Sequence, residues 1–166
     1  PDVIVVGEVR DHETAEICTQ AGLTGHLVIS TIHADSSVGV FNRLIDMNIE
    51  PFLLSSSLCG VIAQRLVKKN CPDCSEPIVP SLKTMKNLGI NLSEQINFMK
   101  GKGCASCNYR GFKGRVGIFE ILVPGKRLKD ALQEKARTDE LYRIAGEEGL
   151  MILRDDGLQK VKQGII

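Results

Sequence analysis

The sequence has no tryptophan, two tyrosines and five phenylalanines among 166 residues. Platforms on which bases could stack are scarce, which argues against a protein that grips single-stranded nucleic acid. Neither sign of charge dominates: 21 Lys and Arg oppose 20 Asp and Glu, for a net charge of +1. That is too little to hold nucleic acid by bulk attraction, so no nucleic acid is expected as a partner. Long apolar runs are also missing. The longest, near Phe52 to Leu58 and Gly60 to Ala63, are broken by Ser55, Ser56, Ser57 and Gln64, whereas a membrane span needs roughly 18 residues. No G-x-x-x-x-G-K-[ST] loop, which would cradle phosphates, occurs in the chain. There is no internal repeat or low-complexity tract. Pro1-Asp2 leads straight into Val3-Ile4-Val5-Val6 without a methionine or signal peptide, and the chain stops at Gly164-Ile165-Ile166. The expectation is a segment of a longer protein.

What is present is an ordinary globular balance, 43% hydrophobic and 25% charged. Val3 to Val6 reads as a fully buried strand of a parallel sheet. Asp11 can cap a helix starting near His12, with Ala15, Ile17, Cys18 and Ala21 as its apolar side and Gly22 and Gly25 closing it. His26 to Ile32 reads as a second buried strand. Ser36 or Ser37 caps a helix over Val38 to Met47, and Pro51 opens another through about Ile62. Gln64 to Val67 suits a short strand. Glycine, proline, cysteine and lysine then dominate up to Gly114, with an amphipathic piece at Leu82 to Leu88. A strand over Val116 to Val123 and helices over Leu128 to Ala136, Asp139 to Glu147 and Asp155 to Val161 complete the reading. The order implies an α/β fold divided at residues 1–68, 69–114 and 115–166.

The six cysteines divide unequally. Cys71-Pro-Asp-Cys74 and Cys104-Ala-Ser-Cys107 form two Cys-x-x-Cys pairs, 29 residues apart. Two tight turns can aim four thiolates at one ion, the closed S₄ shell of structural Zn²⁺. The competing reading is two redox pairs or buried free thiols. A glycine after the second pair, Gly111, would let backbone N–H groups face the sulfurs. Cys18 and Cys59 stand alone in apolar surroundings. With no sign of secretion, metal-bound thiolates in a reducing compartment fit better than disulfides.

Two strand ends carry possible chemistry. Glu8 and Arg10 lie just past the first apolar run, at the carboxyl edge where parallel sheets bind ligands. A carboxylate there can hold Mg²⁺ through water or orient water against a γ-phosphate. His33 lies beyond the end of the second strand, beside Glu8 if the strands are neighbours, and His26 lies at its start. His12 reads as structural, on a helix end.

Gly7-Glu8-Val9-Arg10-Asp11, with Glu13-Thr14-Ala15, and Thr24-Gly25-His26-Leu27-Val28, with Ser30-Thr31 and His33, closely resemble the Walker B and histidine boxes of bacterial type II secretion and type IV pilus assembly ATPases. Arg43-Leu44, Asp46-Met47, Ala63-Gln64-Arg65-Leu66, Gly114-Arg115, Gly117-Ile118, Glu120, Arg154 and Asp156-Gly157 fit the same pattern. The resemblance implies the C-terminal part of a RecA-like P-loop ATPase domain, with a tetracysteine zinc module and C-terminal helices. It implies ATP, Mg²⁺ and Zn²⁺ as cofactors, and Glu8, Arg10 and His33 in catalysis. Glu8, His26 and His33 would meet nucleotide; Cys71, Cys74, Cys104 and Cys107 would hold the metal. It further implies a homo-hexamer on the cytoplasmic side of the bacterial inner membrane, working with secretion or pilus platform proteins. Ile49 to Leu58 looks more like the secretion branch than the pilus branch. Without a phosphate loop, these residues alone are expected to bind ATP weakly or not at all. A reading of another class is a zinc-stabilised docking module for an inner-membrane partner, whose variable face is Ser75 to Gly103.

Overall fold

Two β-branched runs set the geometry of the N-terminal half. The computed structural model describes residues 1–90, 96 and 98–166. In chain order the elements are β1 (Val3–Val9), α1 (His12–Leu23), β2 (Leu27–Ile32), α2 (Gly39–Asp46), α3 (Pro51–Ser57), β3 (Val61–Asn70), β4 (Ser75–Pro77), α4 (Leu82–Leu88) and β5 (Met99–Gly101). A 3-10 turn over Ala105–Cys107 follows. Then come β6 (Phe112–Leu122), α5 (Lys126–Gln133), α6 (Thr138–Glu147) and α7 (Leu153–Lys162). The chain folds as two compact units, residues 1–63 with 120–151 and residues 64–119 with 152–166. It crosses between them inside β3 and β6, which pair with each other.

In the first unit β1 and β2 are parallel, with Val3 opposite Leu27 and Val6 opposite Ser30. Val9 then faces Ile32, so β1 advances three residues while β2 advances two. That is a one-residue bulge across Gly7 and Glu8. The Thr31 hydroxyl donates to the Gly7 carbonyl at 2.8 Å and ties the bulge to β2. Asp11 caps α1 by accepting from the Thr14 N–H at 2.8 Å, which holds its carboxyl below the usual range. Helix α1 lays Ala15 and Thr19 against a core built from Val38, Phe41, Leu44, Leu54, Leu128, Leu132, Leu141 and Ile144.

The structure amends the sequence reading in five places. The two strands alternate, with Val3, Val5, Leu27 and Ile29 exposed. They are half-buried, not fully buried, because the elements of this unit cover one face. Ile17 also points to solvent. Helix α3 ends at Ser57: Ser55, Ser56 and Ser57 turn their hydroxyls back onto the carbonyls of Phe52 and Leu53. Strand β3 accordingly begins at Val61. Cys59 is exposed, whereas Cys18 is half-buried and its thiol is pushed up by burial.

The second unit is the smaller of the two. β4 and β5 pair antiparallel, Ser75 with Gly101 and Pro77 with Met99. A minor core joins Met85, Ile90 and Phe98 to Leu158 and Val161 of α7. Asp156 accepts from the Phe119 N–H at 2.8 Å and from Lys160 Nζ. Arg154 donates to the Leu88 carbonyl at 2.7 Å. The Arg154/Asp156 pair therefore has a joining role. Of the Ser75 to Gly103 stretch read as a docking face, residues 91–95 and 97 lie outside the described residues.

Asp156→Asn should lower stability by about 1–2 kcal/mol, seen as a shifted denaturation midpoint. The Lys160 hydrogen bond, then the Phe119 N–H, hold the folded carboxyl below its ordinary value. Its contribution is therefore complete above about pH 4 and fades as pH falls through the folded value. A variant equal to wild type at pH 7 would refute this.

Candidate functional site

The bulge at Gly7 and Glu8 places a carboxylate at the carboxyl edge of the β1–β2 pair, where ligands gather in parallel sheets. Glu8 is 18% exposed in its side chain. Its Oε2 accepts from Nε of Arg10 at 2.5 Å, and Nη2 of the same guanidinium stands 2.5 Å away as an ion pair. The other oxygen, Oε1, is buried and takes no hydrogen bond. His33 Nε2 stands 2.9 Å from it, in ion-pair range but off the line a ring N–H would need. The His33 ring is 90% exposed. Glu8, Val9, Arg10, His33 and Arg43 line a cleft of about 360 Å³. One oxygen is thus anchored and the other left without a hydrogen bond, in a residue that lines a polar cleft, an arrangement that could orient water once the buried oxygen is reached.

His26 lies at the opposite end of β2, its Nδ1 3.2 Å from both the Ala21 carbonyl and the Thr24 hydroxyl. Within this chain it does not join Glu8 and His33. His12 sits against the Met47 carbonyl at 2.8 Å, the structural place read from sequence.

The four paired cysteines converge in the second unit, their sulfurs all within 4.8 Å of one another. Cys71 to Cys104 is 3.9 Å, Cys74 to Cys107 3.9 Å and Cys104 to Cys107 3.8 Å between sulfurs. A tetrahedral shell with Zn–S bonds of about 2.3 Å has edges near 3.8 Å, whereas a disulfide needs about 2.05 Å. Backbone N–H groups of Gly103, Cys104 and Gly111 donate to Cys74 and Cys107 sulfurs at 3.2–3.3 Å. The Cys104 N–H, then that of Gly111, brings the Cys107 thiol down to about 6 against the opposing pull of burial. Burial pushes Cys74 up to about 12. The donor set, spacing and N–H supply fit a structural zinc ion.

Glycines make the closeness possible. A Cβ on Gly101 would collide with the Gly111 carbonyl, and one on Gly111 with the Gly101 carbonyl oxygen. Gly111 also has φ +74°, as the turn requires.

All of residues 1–166 match the model of the Type II/IV secretion system protein family. The chain belongs to this family. It is 46% identical over 165 residues to the type II secretion system protein E of Pseudomonas aeruginosa, covering 99% of this chain and 33% of that one. Against the type II secretion system ATPase E of Vibrio cholerae it is 47% identical over 173 residues, with the same coverage. Against the type IV pilus assembly ATPase PilB of Thermus thermophilus the figures are 42%, 99% and 19%. This secretion-family chain spans about a third or less of the curated relatives it matches. Among solved structures, the pilus retraction motor PilT with bound ADP aligns with a TM-score of 0.66 at 25% identity. It covers 100% of this chain and 37% of PilT. The ATPase DotB of Legionella pneumophila shares the fold, with a TM-score of 0.66 at 22% identity over 100% of this chain and 36% of that one. Among the described residues no helix is long and apolar enough to cross a membrane.

The sequence reading of this family member gave no structural place to two residues. Arg43 entered only as a motif letter, yet it lines the Glu8 cleft from α2. Glu120 did likewise, yet it is buried against Ser37.

Gly111→Ala should destabilise the cysteine unit by about 1–3 kcal/mol through the positive φ and the carbonyl clash. The readouts are a lower melting temperature and faster zinc release to a chelating dye. Wild-type values for both would remove the close-packing argument.

Proposed function

We propose that the protein carrying these residues is an ATP-hydrolysing motor that powers type II protein secretion. The observation that carries this reading is Glu8: one carboxylate oxygen fixed by Arg10, the other buried without a hydrogen bond beside His33. The names of the Pseudomonas and Vibrio relatives support the process.

In this reading, ATP sits at the β1–β2 edge with Mg²⁺ accompanying its phosphates. Oε1 of Glu8 accepts a hydrogen bond from the attacking water and draws its proton as the oxygen closes on the γ-phosphorus, whose bond to the β–γ bridging oxygen breaks to release ADP. Arg10 fixes the carboxylate in place. His33, open to the cleft, contacts phosphate oxygens, and His26, at the far end of β2, meets nucleotide at a neighbouring subunit. The phosphate-cradling loop comes from another part of the protein. Cys71, Cys74, Cys104 and Cys107 hold Zn²⁺, which has no open position for chemistry and fixes the fold of its unit. The residues divide by role into an ATPase core segment at 1–68, a zinc module at 69–114 and a strand with C-terminal helices at 115–166. The assembly is a homo-hexamer at the cytoplasmic face of the bacterial inner membrane, acting on platform proteins there.

Type IV pilus assembly is the second reading, favoured by the 42% identity to the Thermus relative. Deleting the gene separates the two: loss of exported protein with pili intact supports secretion, and the converse supports pilus assembly.

In the full-length protein, Glu8→Gln keeps the shape but removes the base. Turnover should fall by about 10²-fold or more while ATP affinity changes little. Wild-type turnover would exclude Glu8 from the reaction.

A further inference from the structure

A carboxylate lies in the interior of the first unit with no part in the chemistry above. Glu120 is 3% exposed, two residues from Leu122 at 2%. Charged side chains are seldom buried so deeply unless paired. Its Oε1 accepts two hydrogen bonds from one residue 83 positions earlier. The Ser37 N–H donates at 2.9 Å, and the Ser37 hydroxyl donates across a shorter contact. Ser37 is itself 0% exposed. Apolar residues of similar volume can often replace a buried polar pair at little cost, so the interest of this carboxylate lies in the geometry its two bonds enforce.

That geometry concerns residues 33–37. The segment leaves β2 at Ile32, which is registered against Val9, and the Thr31 hydroxyl locks onto Gly7. Four residues after His33, Ser37 is seized by Glu120. At the segment's far side, the Ser36 hydroxyl accepts from the Gly39 N–H at 3.1 Å as α2 begins. The His33 ring is 90% exposed, so packing does not hold it. Its place 2.9 Å from Glu8 follows from the backbone between these two anchors.

We propose that Glu120 is a positioning residue: by fixing Ser37 it holds residues 33–37 so that His33 stays beside the free oxygen of Glu8. This rests on the reading of Glu8 and His33 as parts of an ATPase site. It adds a residue 112 positions from Glu8 in the chain to that site's support. A displacement of about 1 Å at a catalytic group can cost on the order of 10²-fold in rate.

The test is steady-state ATP hydrolysis by the full-length protein. The variants are Glu120→Ala, Glu120→Gln, Ser37→Ala, His33→Ala and the double Glu120→Ala/His33→Ala. Glu120→Ala should lower kcat about tenfold and move the KM for ATP less than about threefold. Glu120→Gln, which keeps an acceptor oxygen, should recover most of the loss. The double variant should be no slower than His33→Ala alone, because both changes remove one contribution. Ser37→Ala deletes only the hydroxyl bond and should cost a few-fold in kcat, which keeps the test decisive if Glu120→Ala fails to fold. Full turnover by Ser37→Ala or His33→Ala, or losses that multiply in the double variant, would overturn the proposal. Glu8→Gln in the same series separates the two claims: if it is fully active the site reading fails. If it is inactive while the Glu120 and His33 losses multiply, only the positioning role fails.

Discussion

Because Val3–Val9 and Leu27–Ile32 run parallel, with Val6 opposite Ser30, both strands deliver their following residues to one edge. The bulge across Gly7 and Glu8 then aims the carboxylate, and the Thr31 hydroxyl prevents the bulge from slipping. A shift of one residue would turn Glu8 to the other face of the sheet. Arg10, two residues on, would turn with it, and His33 would stand beside Gly7 or Val9 instead of the carboxylate. The approach of His33 to Glu8 follows from this pairing, whereas the Arg10 contact is local to β1 and its end.

A different constraint governs the second unit. Its core is small, built mainly on Met85, Ile90 and Phe98. Domains with so little apolar burial commonly need a staple. The four cysteines supply the donors, and the reciprocal approach of Gly101 and Gly111 brings the backbone close enough for N–H groups to face sulfur. Zinc binding and folding are expected to be one event in such a unit. The surroundings of the four sulfurs are as much backbone as side chain.

Much of this was legible from residues alone, for identifiable reasons. Asp11 as a cap, Pro51 as a first-turn residue and the helix at Leu82 to Leu88 are local signals, and local signals survive in the fold. The Cys-x-x-Cys pairs are likewise self-contained, each a turn that needs no knowledge of the rest. What could not be read depends on partners distant in sequence. The bulge exists only relative to β2. The exposure of Val3 and Val5 depends on which helices cover the sheet. The early end of α3 comes from three serine hydroxyls choosing backbone carbonyls over water. Glu120 and Arg43 looked like motif letters because their contacts lie 83 residues away or across a cleft. The places of His26 at the start of β2 and His33 beyond its end, by contrast, were legible from the chain order.

The most direct measurement is a structure of the full-length protein with Mg²⁺, ADP and a planar γ-phosphate mimic. The account predicts an ordered water within hydrogen-bond distance of Glu8 Oε1 and in line with the mimic, with the His33 ring at its equatorial oxygens. Nucleotide bound with its phosphates away from the β1–β2 edge, leaving Glu8 Oε1 without a water, would contradict it.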